Sequence, residues 1–169
     1  MDDTGDWILH TTVVDGTNDY FRFNKTDQGN AATWTAPTSS VFNKSQTSSN
    51  NIAYCFHSVE GFSKFGTYIG NGSTNGPFVY TGFRPAFIMV KRQNSTGSFV
   101  IVDTARDAVS PLDSALLAND ASFTESSGYT IYACVNGFKI KNSGTGQNAS
   151  GTYVYMAFAG QPFKYANAT

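Results

Sequence analysis

The sequence predicts an all-β fold, a β-sandwich or jelly-roll-like arrangement of about ten short strands with little helix, and three observations carry that reading. Apolar residues recur at period two in one short stretch after another. Thr, Ser and Asn, at 19, 17 and 14 residues, join 16 Gly in a chain of 169. That mixture suits strands closed by tight turns, because helix surfaces normally need Glu, Lys and Ala. Finally, 15% of the residues are aromatic and 14% are charged, against about 25% charged in ordinary soluble domains.

Taken in order, the clearest strands are residues 7–14, 20–23, 78–81, 87–90 and 99–102, each an apolar or alternating run. Residues 52–57, 129–134, 137–141 and 153–158 read as further strands. Between them, residues 70–76 and 142–148 hold the Gly and Asn that supply turn conformations. Residues 111–117 are the one helical candidate and read equally well as a short strand. The expected core comprises Trp7, Leu9, Phe56, Phe87, Met89, Phe99, Ile101, Phe138 and Tyr155.

Length sets the organisation: residues 1–169 suit a single domain. Within it, 51–57 followed by Gly61-Phe62-Ser63-Lys64-Phe65 echoes 152–158 followed by Pro162-Phe163-Lys164-Tyr165. Residues 7–11 likewise echo 99–103, and 41–44 echo 137–140. Two pseudo-repeats, 7–65 and 99–165 joined by 66–98, follow from these pairs, each too small for its own core.

Eleven Lys and Arg stand against twelve Asp and Glu, a net charge of −1 that argues against nucleic-acid binding and against a polybasic membrane anchor. The apolar stretches, residues 86–90 among them, are far short of the roughly 20 residues that insert across a bilayer as a helix. The acidic start, Met1-Asp2-Asp3-Thr4-Gly5-Asp6, lacks the basic and apolar regions of a secretory signal, and a particle assembled inside a cell requires none. Cys55 and Cys134 show no metal spacing and read as buried free thiols.

The chemical inventory is thin. Two Glu, Glu60 and Glu125, and two His, His10 and His57, form no familiar catalytic or metal motif, so no catalytic residue, metal or cofactor is expected. Asp15, Asp19, Asp103 and Asp107 are the only source of paired carboxylates for glycoside hydrolysis, and turn and loop hydrogen bonds explain them more simply. Asp2, Asp3 and Asp6 lack the spacing of a calcium loop. Aromatics that stack on sugar rings beside amides and hydroxyls remain the readable chemistry. Trp34, Tyr20, Tyr68 and Tyr80 are the stacking candidates, and Asn71, Asn75 and Asn148 are the polar ones. Trp34, Tyr68, Asn71, Asn75 and Asn148 form the expected ligand-binding set. Arg84 and the Lys91-Arg92 pair read as charged strand ends that also suit an interface or an anion.

The middle of the chain is more specific. Gly61-Phe62-Ser63-Lys64-Phe65-Gly66-Thr67-Tyr68-Ile69-Gly70-Asn71-Gly72, then Gly76-Pro77-Phe78-Val79-Tyr80-Thr81-Gly82-Phe83-Arg84-Pro85, resembles a domain of marine bacteriophage virion proteins, commonly tail-fibre or tail proteins. Asp103-Thr104-Ala105-Arg106-Asp107, Asn136-Gly137-Phe138-Lys139-Ile140 and the ending 151–168 extend the resemblance over residues 52–168. It implies a virion protein assembled in the bacterial cytoplasm, with other virion proteins and further copies of itself as partners. It supplies no catalytic residue. In that family the domain often ends a longer fibrous protein, so with Met1 almost at the first strand any attachment module is expected to be absent, trimmed away or another polypeptide.

Three functions fit. The first is a non-enzymatic tail-fibre or tail-tip domain that binds a host-surface glycan or protein through loops at one end. The second is a capsid decoration or structural tail subunit with a purely packing role. A polysaccharide-degrading tail enzyme fits least well.

Overall fold

Residues 86–90 and 99–102 are apolar at nearly every position, and a strand of that kind is stable where both of its faces are covered. The computed structural model, which describes residues 5–42, 52–122 and 125–160, places them accordingly. Its eleven strands are β1 (Ile8–Thr11), β2 (Asp19–Arg22), β3 (Asn30–Ala31), β4 (Ser63–Gly70), β5 (Phe78–Tyr80), β6 (Pro85–Arg92), β7 (Val100–Asp103), β8 (Leu116–Leu117), β9 (Ile131–Cys134), β10 (Gly137–Ile140) and β11 (Gly151–Ala159). They form three antiparallel sheets with orders β1-β2-β3, β5-β10-β9 and β4-β11-β6-β7-β8, and the described residues contain no helix.

The five-stranded sheet is the middle layer. Its long strands pair closely: β11 runs beside β4 from Gly151↔Gly70 to Phe158↔Ser63, and beside β6 from Tyr153↔Arg92. Alternate residues then point to opposite sides. Tyr68, Ile88, Val90, Val100, Val102, Tyr153, Tyr155 and Ala157 face one way and meet Val79, Leu112, Ile131, Phe138 and Ile140. Within this first core Tyr68 stacks on Tyr153 with centroids 5.1 Å apart, and Phe138 meets Tyr155 edge to face at 5.5 Å. Met89, Phe99 and Val154 face the other way and meet Phe21, with Leu9, Val13, Val14 and Phe23 around it. The all-β, sandwich-like fold therefore has two cores, one on each side of its middle sheet.

The second core contains charge. Lys91 is buried, its ammonium donating to the Thr26 carbonyl at 3.1 Å and to the Gly97 carbonyl, 5.3 Å from the Phe99 ring centroid. Burial lowers its pKa to about 8, against the upward pull of Asp27. Asp19, facing inward on β2, is raised by burial and by Asp15.

Several expectations change. Residues 52–57 form no strand, because the turn before β4 puts the Ser58 hydroxyl, and not a backbone carbonyl, on the Phe65 amide at 3.1 Å, so the ladder stops. Phe56 consequently stands 60% exposed, touching Phe65 and Phe158 from outside, and is not core. Trp7 lies before the first residue of β1 and is also exposed. Leu9, Phe87 and Ile101 are half-buried, while Met89, Phe99, Phe138 and Tyr155 are buried as expected. Residues 111–117 hold no helix: Leu112 bridges Ile131 and the segment ends in β8. The eight-residue β4 was not among the expected strands.

The segments paired as repeats take different structures. Residues 152–158 lie in β11, whereas 52–57 have no ladder, and 7–11 and 99–103 belong to different sheets. The other pairings reach into 43–51 and 161–169, outside the described residues, as do Met1 to Thr4. Both cysteines are free, but Cys55 is exposed with its segment and Cys134 is only half-buried at the end of β9, so neither is a core thiol.

Candidate functional site

Tyr80, a stacking candidate from the sequence, sits on the three-stranded sheet β5-β10-β9, whose inner face supplies Val79, Phe138, Ile140 and Ile131 to the first core. Period two therefore turns Phe78, Tyr80 and Tyr132 outward together. Phe78 pairs with Lys139, which pairs with Tyr132; Tyr80 pairs with Gly137, which pairs with Cys134. Phe78 and Tyr132 are two strands apart, about 10 Å, and Phe78 and Tyr80 are about 7 Å apart along β5. All three remain open, at 46%, 64% and 39% exposure.

Two local features shape this face. A Cβ at Gly137 would come within 2.8 Å of Phe78 Cζ and 2.1 Å of the Val79 carbonyl, so only glycine lets the Phe78 ring lie across β10. Lys139, paired between Phe78 and Tyr132, donates its ammonium to the Gly76 carbonyl.

That contact leads to the two glycine-rich loops, which the structure brings together at the Phe78 end of the sheet. Asn148 is completely buried between them. Its Nδ2 donates to the Ser73 carbonyl at 2.7 Å, the Asn142 carbonyl at 2.8 Å and Asn71 Oδ1 at 3.0 Å, while its Oδ1 accepts the Asn71 amide at 3.0 Å. Gly76 passes so close that a Cβ there would lie 2.6 Å from Asn148 Nδ2. Asn148 thus pins both loops to each other.

The expected ligand-binding set divides on this geometry. Asn148 and Tyr68 are buried: Tyr68 donates to the Gln147 carbonyl at 2.6 Å, and burial pushes its hydroxyl well above the usual pKa. Neither faces solvent. Asn71 spends its Nδ2 on the Asn75 carbonyl and its Oδ1 on Ser73 and Asn148, so it shapes the loop. Asn75 is exposed at the loop tip beside the aromatic sheet. Trp34 follows β3 and packs on the β1-β2-β3 sheet, half-buried, tilted against Tyr20 and donating from Nε1 to His10 Nδ1 at 3.0 Å. Burial lowers the His10 pKa, which keeps that acceptor available.

The remaining candidates are tied into local structure. Asp15 accepts both the Thr17 amide and its hydroxyl, and Asp107 accepts the Asp113 and Ser114 amides at 2.7 Å. Burial opposes the Asp107 charge, but the bonds from Ser114 and Asp113 outweigh it and hold the pKa low. Asp103 behaves likewise through Arg106, 2.8 Å away. Arg92 caps the Ser150 carbonyl at 2.7 Å, and Arg84 stands exposed at the rim of a shallow depression of about 490 Å³ formed by Phe83, Pro85, Ala86, Thr104, Ala108 and Ala159. Among the described residues no three His, Cys, Asp or Glu side chains gather as metal ligands.

Sequence reasoning missed Phe78 and Tyr132. The signal was the pattern Phe78-Val79-Tyr80, in which one small apolar residue separates two aromatics, but it does not say which side faces inward.

Fold and surface together define a layered all-β domain whose outer sheet carries three exposed aromatics beside a two-loop cap. The family model of a domain of unknown function (DUF7483) matches residues 1–162, and the chain belongs to that family. No curated protein and no solved structure matches it.

Proposed function

We propose that the chain is a non-enzymatic bacteriophage virion protein, a tail-fibre or tail-tip domain that holds a host-surface glycan on the outer face of β5-β10-β9. The observation that carries this reading is the trio Phe78, Tyr80 and Tyr132, exposed on one side of a sheet whose other side is fully packed. Sugar rings stack on such surfaces through their C–H faces, while the adjoining loops present the hydroxyl and amide groups of Thr74 and Asn75 to ring hydroxyls. The sequence resemblance to virion proteins supplies the setting, and the absence of strong net charge suits a neutral ligand.

The test is binding of the purified chain to arrayed lipopolysaccharides and capsular polysaccharides of marine bacteria. The reading expects at least one polysaccharide to be retained, and Tyr80→Ala to weaken it tenfold or more, about 1.4 kcal/mol. Retention unaffected by Tyr80→Ala, or chain shortening of the polysaccharide, would overturn it. A packing role in the particle is the second reading, favoured by the edge of β4, which has no ladder partner beyond β11 among the described residues.

A further inference from the structure

β4 is the outermost strand of the five-stranded sheet, and among the described residues β11 is its one ladder partner. Antiparallel strands aim alternate residues' backbone groups to opposite sides. On the side away from β11, the Ser63 amide donates to the Val59 carbonyl and the Phe65 amide to the Ser58 hydroxyl, which identifies the odd-numbered residues as outward-directed. Thr67 and Ile69 continue that edge beyond the point where the preceding chain leaves it. Their backbone groups have no ladder partner on this side among the described residues, and the Ile69 side chain is 65% exposed.

We propose that this edge pairs with the same edge of a second copy, antiparallel about a two-fold axis at Tyr68, joining two five-stranded sheets into one. Two observations fix the register. Ser58 occupies the Phe65 amide, so the added strand engages Thr67 and Ile69 alone, and these two residues are symmetric about Tyr68. Thr67 of one copy then faces Ile69 of the other, exchanging backbone hydrogen bonds at both positions. The charge pattern permits this pairing. Lys64 is the sole charged residue of β4, and the axis at Tyr68 puts it opposite position 72 of the other copy, a glycine, so no like charges meet. The two Ile69 side chains lie diagonally across the seam on one face, with Cα atoms about 7–8 Å apart, and cover each other. An isologous contact of this kind closes on itself and leaves the outer face of β5-β10-β9 free. The proposal does not depend on glycan binding.

Light scattering of the full chain across a concentration series tests it, using Ile69→Lys and Ile69→Glu. Ile69 is exposed in the single chain, so both variants are expected to keep the far-ultraviolet circular dichroism spectrum of the folded wild type. The wild type is expected to dimerise, each variant alone to be monomeric, and an equimolar mixture to recover the dimer, because only contact between the two position-69 side chains makes unlike charges restorative. A wild type that stays monomeric throughout, or a dimer that both variants retain, overturns the proposal. So does a mixture that stays monomeric, since it would place position 69 away from the axis.

Discussion

The two outer sheets cover opposite sides of the same middle sheet, and they differ in what they do with their polar groups. The β1-β2-β3 sheet ties down its outward side chains: Trp34 donates to His10, and Arg22 pairs with Asp6 at 3.3 Å and with Asp27. Its inner contact tolerates a buried lysine and a buried carboxyl. The β5-β10-β9 sheet does the reverse. Its inner side is sealed by apolar and aromatic residues, while outside it presents rings that take no part in either core. It is on this surface that the proposed glycan site lies.

Substitutions sharpen that contrast. Phe138→Ala removes a wholly buried ring from the sealed side and is expected to cost about 3–5 kcal/mol in chemical denaturation. A cost near 1 kcal/mol would mean that this core is loosely packed. Asn148→Asp replaces three donated hydrogen bonds by a buried carboxylate facing two carbonyls and an amide oxygen, with an expected loss of about 3 kcal/mol or more. Shortening the 70–76 loop removes partners of the same Asn148 and should lower the melting temperature. The glycine content alone suggests a dispensable spacer; the buried amide makes the loop structural.

The charged side of the middle sheet predicts a pH signature. The folded protein holds Lys91 with a pKa of about 8 against an ordinary 10.5, so between those values the unfolded chain binds a proton that the folded chain has released. Stability therefore rises with pH through that window, by up to about 3 kcal/mol relative to Lys91→Met, whose profile lacks this rise. Identical slopes for the two proteins from pH 8 to 10.5 would show that Lys91 is solvated. Phe87→Ala, on the same side but half-buried, is expected to cost about 1–2 kcal/mol, below the loss for a fully enclosed phenylalanine.

How far the sequence reached depends on whether a local pattern had one solution. Continuous apolar runs at 86–90 and 99–102 marked strands, and the all-β class followed from them with the turn-rich composition. That those strands are covered on both sides, and so require a third sheet, was implicit in their lack of alternation. Residues 52–57 alternate as well as any strand and still find no ladder, because pairing there is decided by the turn that follows them and by the Ser58 hydroxyl. Asn71 and Asn148 illustrate the same limit at the site. An amide in a glycine-rich loop reads as available to a ligand, yet these two, 77 residues apart, consume each other. Tyr68 reads as a stacking residue and is one, but its partner is Tyr153.

The smallest expected stability effects belong to the outer aromatic face. Tyr80→Ala should change the unfolding free energy by less than about 0.5 kcal/mol, as at exposed sites generally. The most direct measurement of the central claim is a nuclear magnetic resonance titration of the isotopically labelled full chain with oligosaccharides cut from the polysaccharide retained on the array. Shifts confined to Phe78, Tyr80, Tyr132, Lys139 and the 70–76 loop are the result this structure predicts. Shifts centred on Trp34, His10 and Tyr20, or on the Arg84 depression, would contradict it.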